Sequence, residues 1–412
     1  MRPTRSGCSA VEPPAVRLGF FAYPWDLADE GPEEAVAAMA ARCGCNALAV
    51  NAVYHHARLL RPRRPGPKVF ELPGAVAAFQ PQAALYPPGG PVPLPHAPLV
   101  QAGVLARTRD ACARHGMDLG LWIVGLHNSS LGEQIPGLCM LNCFGDRYTY
   151  NLCPAVAGDY LTALAGDLCA QFRPRRLILE AAGYLGLRHG VHHELFFGAW
   201  DEALELLLSL CFCSACQARA RAADLDVEAL RGQVALWAGR LLNSQPGAAP
   251  FDPADGRLSC LLAQVPDLAA YQALRAGAVT DLVRRVQAVA AAAGAELDVI
   301  PASFHRPVSR AWLEGAHLPG LATACNHLLI PAYWPDAGQV AGDLGWAHWL
   351  APAAGLAAGL NACEPALAGA PALAAQAAAC RRAGCRGIYY YNYGLLPEAR
   401  LEWVARANAE VS

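Results

Sequence analysis

Short apolar runs alternate with alanine- and leucine-rich segments along almost the whole chain. Such runs, bounded by glycine, proline and polar residues, are typical of buried strands, and the segments between them have the length and composition of helices. The predicted strands lie at residues 17–24, 47–54, 119–124, 176–179, 297–300, 327–330, 355–360 and 387–391. Eight strand–helix alternations predict a (β/α)8 TIM barrel. An open, doubly wound sheet is the alternative, but no glycine-rich phosphate loop follows the first strand.

The barrel prediction places residues 15–412 in one domain and leaves residues 1–14, which hold arginine, serine and proline, as a disordered tail. Two segments are long for connections between strands. A proline-rich loop at residues 61–98 follows strand two, and a helical insertion at residues 201–293 follows strand four. Because both follow the carboxyl ends of strands, we expect them at the face where barrel enzymes build their active sites.

The composition is that of an ordinary globular protein. Hydrophobic residues make up 54% of the chain and the formal net charge is −2, so nothing in the charge favours a nucleic acid or a membrane surface as partner. No apolar run has the length of a membrane span. The 16 cysteines are spread through predicted helices and strands, and the first residues lack a signal-type apolar segment. We therefore expect the protein in a reducing cytoplasm, with its thiols free or bound to a metal. The sequence leaves open whether the chain forms a homo-oligomer.

Three cysteines form a tight Cys-x-Cys-x-x-Cys turn: Cys211, Cys213 and Cys216. Three thiolates from one segment suit a tetrahedral Zn²⁺ that takes its fourth ligand from elsewhere. Cys153 is the best candidate for that ligand, and Cys139 and Cys143 are the competing choices. Because four thiolates leave no open position, the zinc would be structural. The alternative is that these cysteines are apolar core residues that bind no metal.

The residues that follow the barrel strands would converge on one pocket, and many of them are aromatic or carry amide, imidazole or carboxylate groups. Aromatic rings cover the C–H faces of a sugar and polar groups fix its hydroxyls, so we expect a small carbohydrate or glycoside as the ligand. The predicted binding residues are Tyr23, Trp25, Asp26, Asn51, Tyr54, His55, His127, Asn128, Tyr184, His192, His193, Tyr333, Trp334, Asn361, Tyr391 and Asn392. Each of them could instead pack beneath a loop or cap a turn.

Glu180 directly follows the apolar run Leu177-Ile178-Leu179. A carboxylate at this position must be paired, protonated or part of a site to be tolerated. An ion pair with a neighbouring arginine is the structural alternative to a role in catalysis. A cluster at residues 188–194 holds three histidines and an acid, which could line the mouth of the pocket or ligate a metal.

The segment Phe144-Gly145-Asp146-Arg147, with Cys153-Pro154 and the later cysteine turn, resembles the clan of barrel glycoside hydrolases that includes the family 42 β-galactosidases. The resemblance implies a retaining glycosidase with Glu180 as the acid/base at the end of strand four. It implies Glu364, after strand seven, as the nucleophile; Asp26 and Asp336 are the reserve candidates. Leu179 stands where the clan has an asparagine that contacts the 2-hydroxyl of the sugar.

Three hypotheses about function result. The leading one is a glycoside hydrolase-like enzyme that cleaves a saccharide or glycoside through two carboxylates. The second is a metal-dependent barrel hydrolase or isomerase, which would use the histidines His55, His56, His192 and His193 and hold a second metal in the pocket. The third is a barrel that binds carbohydrate without catalysis, because Leu179 removes a usual contact with the sugar.

Overall fold

The computed structural model describes residues 16–188, 201–243, 254–303 and 306–411. Its strands are β1 (Arg17–Ala22), β2 (Ala47–Tyr54), β3 (Ala57–Leu60), β4 (Val69–Leu72), β5 (Val76–Ala77), β6 (Asp118–Val124), β7 (Cys139–Leu141), β8 (Arg147–Leu152), β9 (Arg176–Glu180), β10 (Glu296–Val299), β11 (His327–Pro331), β12 (Gly355–Asn361) and β13 (Gly387–Tyr391).

Eight of these strands form a closed parallel barrel, in the order β1, β2, β6, β9, β10, β11, β12 and β13. The barrel closes because β1 pairs in parallel with both β2 and β13. The eight strands are those predicted from the sequence, so the (β/α)8 fold is confirmed. The first strand ends at Ala22 rather than at Pro24, because Pro24 begins a helix, where its fixed φ and missing N–H are tolerated.

Helices surround the barrel and occupy its connections. They are α1 (Pro24–Glu30), α2 (Pro32–Cys43), α3 (Ala97–Gln101), α4 (Val104–Arg114), α5 (Ser129–Gln134), α6 (Gly158–Phe172), α7 (Glu202–Ser209), α8 (Ser214–Ala222), α9 (Val227–Leu242), α10 (Ala254–Gln264), α11 (Pro266–Ala292), α12 (Leu318–Ala322), α13 (Ala337–Leu350), α14 (Ala370–Arg382) and α15 (Glu398–Ala409). Within the described residues, no single helix is long and apolar enough to cross a membrane; α7 and α8 pass that test only as a pair, and they are bent by 95°.

The connection after β2 contains regular structure that its proline-rich composition does not indicate. Strands β3 and β4 pair as an antiparallel hairpin, and β5 adds antiparallel to the end of β2. The ring of Phe70, on β4, stacks on Trp25 with 4.8 Å between ring centroids. The hairpin therefore lies against the carboxyl end of β1, on the side of the barrel where the predicted pocket residues are found.

The helices α7 to α11 all fall between β9 and β10, in the region of the predicted helical insertion. Together they build a hydrophobic cluster of their own, which includes Leu204, Leu207, Phe212, Leu230 and Tyr271. The ring of Phe212 stacks on that of Tyr271 at 5.2 Å. This cluster is distinct from the main core, in which the later part of α11, including Val283 and Val286, is packed.

The amino ends of the strands are tied together by ionic contacts around Asp298, which is fully buried. His327 Nδ1 lies 2.8 Å from Asp298 Oδ1, and guanidinium nitrogens of Arg176 and Arg17 lie 3.5 and 3.8 Å from Oδ2. Burial alone would raise the pKa of Asp298. The hydrogen bond from His327 and the charges of His327, Arg176 and Arg17 outweigh burial, so the pKa lies below its usual value.

We expect Asp298→Asn to lower the free energy of unfolding by about 3 kcal/mol at neutral pH, because it leaves buried cations without their partner. Since the pKa of Asp298 is lowered by folding, its stabilising contribution is present above the pKa of the unfolded chain and is lost as the pH falls below it. Urea unfolding at several pH values measures this loss. Asp281→Asn, at a position whose side chain is 55% exposed, is the control and should have little effect.

Candidate functional site

Glu180, the last residue of β9, lies at the carboxyl end of the barrel and is partly exposed. The indole Nε1 of Trp122 donates a hydrogen bond of 2.6 Å to Glu180 Oε2. Within the described chain, no arginine or lysine forms an ion pair with it, which leaves the arginine-pair alternative without support. Burial raises the pKa of Glu180 to about 7, the bond from Trp122 opposes this rise, and the nearby charge of Glu314 adds to it.

Three tyrosines from the ends of β1, β2 and β13 meet beside Glu180. The hydroxyl of Tyr23 is hydrogen-bonded to the hydroxyls of Tyr54, at 2.8 Å, and Tyr391, at 2.6 Å. Burial raises the pKa of Tyr391 to about 12; its bonds to the other two tyrosines oppose the rise, and the charge of Glu180 adds to it. The three phenols are therefore neutral at physiological pH.

Two further aromatic side chains lie against these tyrosines. Trp25 stacks on Tyr23 with centroids 4.6 Å apart, and Tyr333 lies 5.4 Å from Tyr391. Burial raises the pKa of Tyr333 well above its usual value, and the proximity of Tyr391 and Glu180 contributes to the rise. The structure thus brings together Glu180 and five of the aromatic residues predicted for the pocket: Tyr23, Trp25, Tyr54, Tyr333 and Tyr391.

Two predicted histidines lie beside the same group of aromatic side chains. His55 stacks on Tyr54 at 4.2 Å, and the ring of His127 lies 4.5 Å from that of His55. Nδ1 of His55 is 2.6 Å from the carbonyl oxygen of His56, and Nδ1 of His127 is 3.1 Å from that of Tyr150. His192 and His193, also predicted to line the pocket, lie outside the described residues.

Several predicted polar residues bond to their own protein neighbours. Asp26 is buried and lies 2.5 Å from Arg61 Nε; burial raises its pKa to about 6 although Arg61 opposes the rise. The amide of Asn51 donates to the carbonyl oxygens of Val53 and Trp122. Side chains that accept bonds from nearby backbone N–H groups are those of Asn128, Asp336, Asn361 and Asn392.

Two predicted aromatic residues are also engaged elsewhere. Trp334 donates its Nε1 to Asp343 at 3.0 Å. Tyr184 is buried, and its hydroxyl lies 3.6 Å from Cys216 Sγ, so its ring belongs to the surroundings of the cysteine turn.

Glu364 lies in the loop after β12, whose last residue, Asn361, is in register with Tyr391. Its Oε1 accepts a hydrogen bond of 3.0 Å from the backbone N–H of Ala366. Glu364 is not among the groups that shift the pKa of Glu180. Its side chain is therefore placed by its own loop in this structure.

Glu314 is an acidic residue near Glu180 that the sequence did not single out. It is buried at the end of a short 3-10 helix, Val308–Glu314, and its Oε1 accepts hydrogen bonds from Ser303 and from Arg306 Nε, the latter at 3.0 Å. Its carbonyl oxygen accepts a bond of 2.8 Å from the N–H of Tyr184, in the loop that follows Glu180. No strand end or motif marks this position in the sequence.

Four buried cysteines form a compact cluster. Cys153 Sγ lies 3.5 Å from Cys216 Sγ, 3.7 Å from Cys213 Sγ and 3.8 Å from Cys211 Sγ. All four sulfurs lie within 4.8 Å of one another. A tetrahedral ion with metal–sulfur bonds of about 2.3 Å needs sulfurs about 3.8 Å apart, whereas a disulfide needs about 2.05 Å. This cluster could therefore hold a metal ion.

The competing cysteines lie in other surroundings. Cys139 Sγ donates to the carbonyl oxygen of Gly132 at 3.4 Å, and Cys143 packs in the hydrophobic cluster of α7 to α11. Cys153 is thus the fourth member of the group. The other set of potential metal ligands in the described chain, Glu296, Asp298 and His327, lies at the amino ends of the strands and already contacts Arg17 and Arg176.

No family model matches this sequence, and no curated protein is significantly similar to it. Solved structures do share its fold. The α-L-fucosidase isoenzyme 2 from Paenibacillus thiaminolyticus aligns over 96% of this chain and 49% of its own, with 14% identity and a TM-score of 0.55. The catalytic domain of a β-amylase from Paenibacillus polymyxa aligns over 96% and 98%, with 10% identity and a TM-score of 0.58. A GH42 β-galactosidase from G. stearothermophilus aligns over 96% and 56%, with 11% identity and a TM-score of 0.55.

These similarities show that the chain shares its (β/α)8 fold with these proteins. The chain spans about half the length of the fucosidase and a little more of the galactosidase, so only part of each of those proteins is compared.

We expect Glu314→Gln to lower the pKa of Glu180, because it removes a negative charge that disfavours ionisation of the neighbouring carboxyl group. A ¹³C NMR titration of glutamate-labelled protein measures this pKa, and the signal of Glu180 is assigned by its absence from Glu180→Gln. Glu228→Gln, at an exposed position on α9, is the matched control and should leave the titration unchanged. An unchanged pKa in Glu314→Gln would show that the two carboxyl groups do not interact.

Proposed function

We propose that this chain is a glycoside hydrolase-like enzyme that cleaves a saccharide or glycoside through two carboxylates, with Glu180 as the general acid/base. The observation that carries the proposal is the environment of Glu180: a carboxyl group at a strand end, without a cation from the described chain, whose pKa is raised to about 7. Such a group is protonated to a large extent at neutral pH and can give its proton to the leaving oxygen of a glycoside.

The lining of the pocket supports a carbohydrate as ligand. The partly exposed rings of Tyr333 and Tyr391 supply apolar faces, and the hydroxyl of Tyr391, linked to those of Tyr23 and Tyr54, supplies a donor and an acceptor. This mixture matches a sugar, whose ring has apolar C–H faces and a polar rim. The names of the fucosidase, β-amylase and β-galactosidase with the same fold describe enzymes that act on glycosides.

The second carboxylate is proposed to be Glu364, as the resemblance to family 42 implies, in a retaining mechanism. A nucleophile would have to stand about 5–5.5 Å from the acid/base group, and an inverting base about 6.5–9.5 Å. To act as nucleophile, Glu364 would exchange its bond from Ala366 for a position facing the sugar. Glu314 is a second candidate, because hydrogen bonds from Arg306 and Ser303 fix its side chain, and its backbone contacts the loop that follows Glu180.

A barrel that binds carbohydrate without cleaving it is the competing function. Leu179, fully buried, precedes Glu180, and β12 ends in Asn361 rather than in a carboxylate. In that case Glu180 would serve as a hydrogen-bonding group for the ligand. Hydrolysis of any member of a panel of aryl glycosides by the pure protein would decide between the two.

We further propose that Cys153, Cys211, Cys213 and Cys216 bind one structural Zn²⁺. Sulfur spacings of 3.5–3.8 Å around Cys153 fit a tetrahedral tetrathiolate site. The backbone N–H of Leu141 points at Cys211 Sγ from 3.4 Å, a donor that suits a thiolate better than a thiol. When bound, zinc would tie the segment before α6 to the turn between α7 and α8.

The described cysteines form no disulfide, which supports a reducing compartment such as the cytoplasm.

Cys213→Ser is expected to reduce bound zinc, measured by elemental analysis of protein purified without chelator, and to lower Tm. The variant removes one of four ligands from a site that stabilises the fold by its binding free energy. The free energy of unfolding should fall by more than the free energy of ligand binding at the barrel mouth. The control is Cys260→Ser, an exposed thiol outside the cluster. Wild-type protein without stoichiometric metal would contradict the proposal.

Glu180→Gln is expected to lower kcat on any glycoside that the wild type cleaves by roughly 100-fold or more, because the proton donor is lost. Wild-type turnover should fall as the pH rises through about 7, where Glu180 gives up its proton. Unchanged turnover in the variant would refute the assignment.

The same variant has a stability readout that needs no substrate. Because folding raises the pKa of Glu180, the contribution of this group to stability is greatest below the pKa of its unfolded side chain and is lost as the pH rises through about 7. Glu180→Gln should therefore be more stable than the wild type at pH 8, by on the order of 2 kcal/mol, and should lose this advantage at pH 4. Glu228→Gln, exposed on α9, is the control.

A further inference from the structure

Arg275, on α11, is a buried arginine that contacts only neutral acceptors in the described chain. It is 2% exposed. Its Nη2 donates to the carbonyl oxygens of Ser209, at 3.2 Å, and Leu313, at 3.3 Å, and its Nη1 bonds to the side-chain oxygen of Gln272. Its Nε has no hydrogen-bond partner. A guanidinium is always charged, and burying a charge without a counter-charge is strongly unfavourable.

The four-cysteine cluster is the group beside Arg275 that can supply negative charge. The guanidinium carbon lies 4.6 Å from the centre of the Tyr184 ring, and the hydroxyl of the same tyrosine lies 3.6 Å from Cys216 Sγ. On the other side, Ser209, which accepts a bond from Arg275, is only two residues before Cys211. Tyr271, one helical turn before Arg275, donates its hydroxyl to the carbonyl oxygen of Cys211 at 2.5 Å. Arg275 therefore flanks the cluster from α11.

We propose that Arg275 is the counter-cation of the metal-loaded cysteine cluster, an inference that rests on the proposed zinc site. A divalent ion with four thiolates carries a net charge of −2 in a buried environment. One guanidinium beside it halves that charge, and the thiolates in turn compensate the arginine. Because the tetrathiolate site is complete only when metal is bound, metal binding and the burial of Arg275 stabilise each other.

A purely structural role for Arg275 gives a different expectation. Ser209 is the last residue of α7 and Leu313 is close to the end of the 3-10 helix Val308–Glu314, so the guanidinium also caps the carbonyl ends of two helices. A cap would stabilise the metal-free and metal-loaded forms equally. A counter-cation stabilises the loaded form more, and this difference appears directly as a change in metal affinity.

The test is the affinity of the full-length chain for Zn²⁺, measured by competition with a chromophoric chelator. Arg275→Gln keeps hydrogen-bond donors and removes the charge; Arg275→Lys keeps the charge and removes the planar fork. We expect Arg275→Gln to weaken zinc binding by about 10- to 100-fold and Arg275→Lys to weaken it clearly less. Arg284→Gln is the control, because Arg284 lies on the same helix, is 56% exposed and pairs with Asp281.

Melting curves with bound zinc and with excess chelator complete the experiment. The Tm of Arg275→Gln should fall more in the zinc-loaded form than in the metal-free form. Equal zinc affinity of Arg275→Gln and wild type, or a loss as large in Arg275→Lys as in Arg275→Gln, would overturn the inference while leaving the zinc site in place. A wild-type chain that binds no zinc would refute the zinc site and with it the role of Arg275. Should Arg275→Gln fail to fold, an affinity of Arg275→Lys within a few-fold of the wild type supports the role, and a 10-fold or greater loss opposes it.

Discussion

The pairing of β1 with both β2 and β13 determines where the chemical groups of this protein meet. Since all eight barrel strands are parallel, closure brings their carboxyl ends to one face. The hydroxyls of Tyr23 and Tyr391 are hydrogen-bonded across a sequence separation of 368 residues only because their strands are neighbours in the closed barrel. Close approach at this seam also explains Gly19, since a Cβ there would lie 2.4 Å from the carbonyl oxygen of Ala47.

Desolvation is the main physical influence on the side chains that closure brings together around Glu180. It is the largest cause of the raised pKa of Glu180, and it likewise raises the pKa values of Tyr23, Tyr54, Tyr333 and Tyr391. The phenols bond to one another, and the indole of Trp122 is the donor to the carboxyl group. Neutral phenols and aromatic rings around an acid of raised pKa offer little to attract a phosphate, which agrees with the neutral, hydroxylated ligand that we propose.

The sequence predicted those parts of the structure that depend on local pattern. Apolar runs and their spacing located all eight barrel strands. Glu180 stood out because a carboxyl group directly after the apolar run Leu-Ile-Leu must be paired, protonated or part of a site. The spacing of Cys211, Cys213 and Cys216 pointed to a cluster because three thiols in one turn must lie close together.

What the sequence could not predict depends on contacts between distant segments. The hairpin residue Arg61 pairs with Asp26, and nothing local to either residue indicates this. Glu314 lies in an irregular connection, and its proximity to Glu180 arises from the packing of two loops that follow neighbouring strands. Amide side chains such as Asn128 and Asn361 were assigned to the pocket by position alone, yet both bond to backbone groups two or three residues away, as short polar side chains commonly do at turns.

The cysteine cluster and the surroundings of Glu180 are linked by direct contacts. Tyr184 connects the two: its N–H bonds to the carbonyl oxygen of Glu314, and its hydroxyl contacts Cys216. Cys211 is held in turn by the N–H of Leu141, and the N–H of Phe212 bonds to the carbonyl oxygen of Leu141 at 2.6 Å. Loosening the cluster would therefore reach the loop after Glu180 through a continuous series of short contacts. A structural metal at this position would stabilise the geometry around the acid without touching a ligand, which is why its loss would first be evident in stability and only then in binding.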